Sequence, residues 1–215
     1  MPIAFSVPLP IAIPLVLAMG AFWTATYILI IRRGFKDAAV GMPIGAFCMN
    51  IAWEVTFSFI YPDVPINQAI NIVWFLFDLG IVAQILWFGT RNLRSPLGKK
   101  LLHPSILLGI TGALIVLIPI ARQYGGTGAV YSGVVINAVM SVLFVVMLIQ
   151  RNSIAGQSMY IALFKWLGTL AACLPILGHR VVQVFYPIIF TFDMAYLLIL
   201  YTMTRREGLS PWSRA

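Results

Sequence analysis

Apolar positions run almost unbroken along this chain, interrupted at intervals by short segments rich in basic residues, proline or glycine. A helix that crosses a bilayer needs about 20 mostly apolar residues. Seven stretches meet that condition: 9–31, 43–60, 67–89, 104–121, 128–149, 159–178 and 184–203. Together they use nearly all 215 residues and leave no room for a soluble domain. The expected architecture is an all-α membrane protein, one seven-transmembrane-helix bundle over residues 1–215. Composition agrees, with 61% hydrophobic and 9% charged residues and a mean hydropathy of +0.96. A soluble domain of this size cannot hide that much apolar surface, so the solvent is lipid.

The formal net charge of +8 would suit a nucleic-acid partner if the basic residues formed one patch, but they mark the ends of spans instead. Arg32, Arg33 and Lys36 fall in the first loop, and Arg91, Arg94, Lys99 and Lys100 in the third. Arg151 is in the fifth, with Arg205, Arg206 and Arg214 in the C-terminal tail. The opposite face has only Arg122 and Arg180. The positive-inside bias puts the N-terminus outside and the C-terminus in the cytoplasm, with anionic lipid, not nucleic acid, as the partner of the basic loops. Lys165 falls inside a span near its cytoplasmic end, where snorkelling accounts for it. Cys48 and Cys173 both lie within spans, which implies no disulfide framework. His103 and His179 are isolated and make no metal site. The first apolar segment lacks a basic leader and a cleavage site, so it reads as helix one.

A repeat is visible in the pattern. "CMNIAWEVTFSFIYP" (48–62) parallels "CLPILGHRVVQVFYP" (173–187), each a Cys and a Tyr-Pro separated by the same interval. Downstream, "FLFD" (75–78) matches "FTFD" (190–193), followed by Thr90-Arg91 and Thr204-Arg205. The two copies would share orientation, giving a 3+1+3 parallel repeat joined by helix four. That register makes Asp78 and Asp193 equivalents and sets Glu54 opposite His179.

Of six acidic residues, Asp37, Asp63 and Glu207 fall in loops or the tail, but Glu54, Asp78 and Asp193 fall within spans. A charge at mid-bilayer costs on the order of 3 kcal/mol, so lipid-facing carboxyls are excluded and the three should point into a shared interior. The structural alternative is that they are interhelical hydrogen-bonding groups. Glu54 lies roughly 10 Å below the outer end of its helix at 1.5 Å per residue. Asn50, Glu54 and Ser58 recur every four residues and draw a polar stripe down helix two. Asn71, Trp74 and Asp78 do so on helix three, and Tyr196 follows Asp193 on helix seven. Trp53, Phe57, Trp74, Phe77 and Tyr196 crowd the acids as candidate cation-stabilising faces; packing is the plainer role for each.

Burial disfavours an anion, so a buried carboxyl can hold a proton and act as a general acid. Aromatic faces stabilise positive charge by about 0.5–2 kcal/mol each. A proton donor in a water-poor, π-lined space is what a carbocation reaction requires. A small seven-helix transporter with acids on its substrate or proton path is the alternative, and a non-enzymatic membrane subunit is a third class. A retinal-type photoreceptor is excluded because helix seven has no lysine.

Asn50-Ile51-Ala52-Trp53-Glu54 in helix two, with Asp78 in helix three and Asp193 in helix seven, resembles the integral-membrane meroterpenoid cyclases of the pyripyropene and paxilline type. That family includes actinobacterial relatives acting on farnesylated indoles, of the drimentine type. The likeness covers the whole chain in length and span number. It implies that Glu54 and Asp193 are the essential acids, forming a protonating unit in which either one donates. Asp78 is a third member or a structural partner of Asn50 or Asn71. The implied reaction is a non-oxidative cyclisation of a prenylated substrate, begun by protonating a terminal alkene or epoxide, with no cofactor and no metal. No Asp-rich diphosphate motif occurs in the sequence. The implied location is a bacterial plasma membrane, or the endoplasmic reticulum for a fungal protein.

Overall fold

A computed structural model describes residues 5–62, 65–91, 93 and 95–214. Asp63 and Arg94, read above as loop residues, lie outside the described residues. The described chain forms six α-helices: α1 (Leu9–Lys36), α2 (Ile44–Val55), α3 (Pro65–Phe88), α4 (Pro96–Arg151), α5 (Met159–Cys173) and α6 (Arg180–Arg206). A π-helical turn, Thr56–Ile60, continues α2, and a 3-10 turn, Leu174–Ile176, continues α5. No strand occurs among the described residues.

Six continuous α-helices thus stand among the described residues where the sequence reads seven apolar spans. Segments 104–121 and 128–149 both fall within α4, which is interrupted at Gly125 (φ 53°, ψ −132°). A side-chain carbon at Gly128 would stand 2.9 Å from the Ile120 carbonyl oxygen. Eight residues along a straight helix would separate them by about 12 Å. The chain thus reverses at Gly125, inside the "YGGTG" segment, and α4 is two helical arms folded back on each other. Five helices are long and apolar enough to cross a membrane, and Ile44–Ile60 is a shorter apolar helix.

Local chemistry sets the helix ends. Ser95 and Ser158 cap α4 and α5, accepting hydrogen bonds from the Gly98 and Ile161 amides at 3.3 Å each. Asn152 closes α4 in the left-handed conformation, φ 47°. Tyr27, Phe47, Ile81, Phe144, Tyr196 and Leu200 belong to the main buried core, which draws on most of the helices.

The basic end of the bundle is tied by a polar knot. Arg33 pairs with Asp37 one turn on, and Asp37 also accepts from the Gly156 amide (2.8 Å) and Arg214 (2.7 Å). The C-terminal tail is thereby fastened to the α1–α2 and α4–α5 connections. Burial works against a charge on Asp37, but the Arg33 hydrogen bond, the Gly156 amide and the Arg214 charge outweigh it and hold its carboxyl below the usual range. Gln84 of α3 clamps the end of α1, donating to the Ile31 carbonyl at 2.8 Å and accepting from the Gly41 amide at 3.0 Å.

The repeated sequence motifs fall only partly on matching places in the helices. Asp78 and Asp193 stand at the same interval from the first residues of α3 and α6, Pro65 and Arg180. Tyr61-Pro62 lies beyond the π-helical turn, whereas Tyr186-Pro187 lies inside α6, so the Cys-to-Tyr-Pro register does not superpose equal elements. Glu54 sits within α2 and His179 caps α6, so those two are not equivalent in place.

Candidate functional site

The three membrane acids fall into two polar clusters. In the first, Tyr27 of α1 donates to Glu54 Oε1 of α2 at 2.7 Å. Asn50, one turn before Glu54, turns its amide nitrogen to Glu54 Oε1 (2.9 Å), Asp78 Oδ2 of α3 (3.0 Å) and the Tyr27 hydroxyl oxygen. One amide therefore bridges two carboxyls that are about completely buried, Glu54 at 1% and Asp78 at 0% exposure. Glu54 Oε2 and Asp78 Oδ1 have no hydrogen-bond partner among the described residues. The four-residue spacing read from the sequence is what places Asn50 and Glu54 on one helix face. Ser58, third on that stripe, is buried in the π-helical turn with its hydroxyl unpartnered, while its carbonyl accepts from Gln68.

The second cluster joins α4, α5 and α6. Lys165 of α5 donates to Asp193 Oδ1 of α6 at 2.6 Å and to the Ser141 hydroxyl of α4 at 2.7 Å. Lys165 is fully buried, which corrects the snorkelling expectation. Its ammonium has an anion and a hydroxyl within reach, so it has no need of the interface. It also lies over the rings of Trp23 and Phe144, 5.9 and 5.7 Å from their centroids. Asn137, one turn before Ser141, donates to Thr169 at 2.9 Å.

Glu54 and Asp193 thus do not share a partner, contrary to the expected single carboxyl unit. What links their clusters is a small apolar cavity of about 10 Å³. Tyr27 lines it from the first cluster and Trp23 and Phe144, the rings facing Lys165, from the second, together with Met42 and Met140. That space admits about one water, so a larger guest requires the helices to part. A groove of about 340 Å³ between α1 and α3 opens on the outside of the bundle, lined by Leu17, Gly20, Thr24, Ile70, Val73 and Trp74.

The remaining predicted residues distribute around these features. Phe77 stacks on Tyr27 at 5.9 Å between centroids, beside the first cluster. Trp74, one turn before Asp78, donates to Thr24 at 3.2 Å and forms part of the groove wall. Asn71 is buried on the same helix. Trp53 donates to the Ala129 carbonyl and to Ser132, both at 3.1 Å, and meets the Phe57 ring at 5.2 Å. These two anchor α2 to the second arm of α4 and do not line the cavity. Tyr196 packs on Phe144 at 5.1 Å, and its hydroxyl donates to Gln157, away from Asp193. Sequence reasoning missed Tyr27, Trp23, Phe144 and the pairing of Lys165. For Lys165 the signal was present, since a lysine within a span wants a partner.

The chain matches the description "Pyr4-like transmembrane terpene cyclases" over residues 2–205. It is 31% identical over 161 residues to the Pyr4-family terpene cyclase mfmH of Annulohypoxylon moriforme, a match covering 74% of this chain and 66% of the relative. Identity to terpene cyclase penB of Penicillium crustosum is 32% over 163 residues, 74% of this chain and 67% of the relative. Terpene cyclase esdpB of Penicillium shearii is 27% identical over 210 residues, covering 89% and 84%. No solved structure matches the chain significantly. With the Asn50–Glu54–Asp78 bridge buried among apolar helices and this match along nearly its whole length, the chain belongs to the Pyr4-like transmembrane terpene cyclases.

Proposed function

We propose that this protein is a membrane-embedded cyclase that closes rings on a prenylated substrate, such as a farnesylated indole, by delivering a proton to its terminal alkene or epoxide. The observation that carries the reading is the pair of buried carboxyls, Glu54 and Asp78, bridged by Asn50 beside an aromatic-lined cavity. Two carboxyls close together in a dry interior cannot both ionise cheaply, so such a pair tends to retain one proton. Tyr27 and Asn50 donate hydrogen bonds to the oxygens left charged once that proton departs.

The steps balance without oxidant, metal or cofactor. A carboxyl O–H breaks as the alkene's π pair takes the proton in a new C–H bond, or as the epoxide oxygen takes it and a ring C–O bond opens, leaving a carbocation in either case. Internal alkenes attack it in turn. A C–H bond beside the last cationic carbon then gives its electron pair to a new alkene and its proton to a base. Asp193, Trp23, Phe144 and Phe77 supply negative charge or π faces near the path.

The prenyl chain approaches from lipid through the groove between α1 and α3, whose wall includes Trp74, one turn before Asp78. In this reading the two arms of α4 and the short Ile44–Ile60 helix each cross the bilayer, giving seven crossings. The basic end, carrying Arg32, Arg33, Arg151, Arg205 and Arg206, faces the cytoplasm.

The test is incubation of membranes carrying this protein with farnesylated indole and, separately, with its terminal epoxide, the products being read by mass and NMR. A cyclised product of unchanged mass supports the reading. Intact substrate in both incubations, from correctly inserted protein, defeats it.

A further inference from the structure

Asn50 and Lys165 occupy corresponding places. Each stands at the same interval from the start of its helix, Ile44 of α2 or Met159 of α5. Each donates to an aspartate 28 residues further on, Asn50 to Asp78 and Lys165 to Asp193. Each also reaches a hydroxyl from a third helix, Tyr27 for Asn50 and Ser141 for Lys165. The geometry is repeated, but the charge is not: one donor is a neutral amide, the other an ammonium.

The geometry points to Lys165 as a positioning residue that holds Asp193 in its ionised form, so that the transferable proton belongs to the Glu54–Asp78 pair and Asp193 is the fixed negative charge the substrate cation meets. This rests on the proton-triggered reading above.

Four observations converge on it. An ammonium buried without a counter-charge is too costly to persist, and Lys165, at 0% exposure, has one carboxylate within reach at 2.6 Å. The Trp23 and Phe144 faces also lie within cation–π reach of the amine. The first cluster, by contrast, holds two carboxyls and two neutral donors, with no cation hydrogen-bonded to either acid among the described residues. An acid tied to an ammonium gives up a proton too readily to keep one in reserve, whereas paired carboxyls retain one. Asp193 is held by one oxygen only, and its buried Oδ2 has no partner among the described residues. That oxygen is free to face a cation.

Infrared difference spectra of the full-length protein in bilayers, wild type against each variant, read protonated carboxyls through their C=O stretch. The expected wild-type spectrum has a protonated-carboxyl band that Glu54→Gln and Asp78→Asn alter and Asp193→Asn leaves in place. Lys165→Met adds a second band, which the Lys165→Met/Asp193→Asn double variant lacks. Turnover of the prenylated substrate falls on the order of 100-fold in Lys165→Met, and Lys165→Arg, which keeps the charge, recovers part of it. A wild-type band lost in Asp193→Asn, or no added band in Lys165→Met, overturns the proposal. Should the Lys165 and Asp193 variants fail to insert, a band unchanged in both Glu54→Gln and Asp78→Asn overturns it as well. If the bands follow the assignment while wild type turns over no prenylated substrate, the cyclase reading fails and the charge assignment stands.

Discussion

Tyr27 of α1 donates its phenolic hydrogen to Glu54 of α2 across 2.7 Å, and the same ring stacks on Phe77 of α3. One side chain thus ties three helices to the carboxyl pair. Replacing it by phenylalanine removes the donor and keeps the stack. Tyr27→Phe should therefore insert normally and cyclise on the order of 10-fold more slowly, the worth of one hydrogen bond to a charged oxygen. Single-turnover rates in proteoliposomes would measure this, and an unchanged rate would remove Tyr27 from the machinery.

The three acids should differ in what their loss does to stability. Glu54→Gln and Asp78→Asn each lower turnover by about 10²–10⁴-fold with little change in unfolding. Asp193→Asn also loses turnover, but it strands Lys165 as a buried cation and should cost about 3–5 kcal/mol of stability. Thermal unfolding in detergent distinguishes the two patterns.

Gly20 lines the groove between α1 and α3, and a side-chain carbon there would meet nothing within 4 Å. Gly20→Phe should fill the groove without disturbing the helices. The expected result is a roughly tenfold fall in kcat/KM with an unchanged unfolding temperature. Wild-type kinetics would show that substrate enters elsewhere.

Gly125 carries the reversal of α4 at φ 53°, ψ −132°, a conformation that a β-carbon opposes. Gly125→Ala should destabilise the protein by about 1–3 kcal/mol. Gly112, which also meets open space but lies on the first arm of α4, serves as the control, and Gly112→Ala should be neutral or slightly stabilising.

The knot around Asp37 should respond to acid. Its folded-state carboxyl sits below the ordinary value of about 3.9. Its contribution to stability is therefore present in full above that value and is lost as pH falls through the lower, folded one. Asp37→Asn should remove this acid-side dependence and cost roughly 1 kcal/mol at neutral pH, after allowance for solvent screening. A stability curve of unchanged slope on the acid side in that variant would contradict the assignment.

Much of the site was legible in the chain itself. A carboxyl within a span is conspicuous because charge is so costly there, and four-residue spacing is enough to put Asn50 and Glu54 on one face. The break between the apolar stretches 104–121 and 128–149 was legible too, and Gly125 falls within it with a backbone that a β-carbon opposes. The π-helical turn after Val55 was not legible, since nothing in the Thr56–Ile60 residue types distinguishes it from ordinary helix. Nor was the likeness in place of Asn50 and Lys165, each donating to an aspartate 28 residues further on, because it pairs an amide with an amine, which no comparison of letters suggests.

Composition and periodicity alone determined that the chain is helical, lies in lipid and carries three acids that must face inward. These conclusions follow from the apolar composition and from the cost of exposing backbone or charge to hydrocarbon, which is set residue by residue. Which acid meets which partner was decided only by tertiary packing. Hydrogen bonds from Tyr27 and Asn50 and the ion pair of Lys165 act over less than about 3.2 Å, between residues 23 to 28 positions apart on different helices. At that range, the rotation and depth of each helix sort three similar carboxyls into a pair bridged by Asn50 and one held by Lys165.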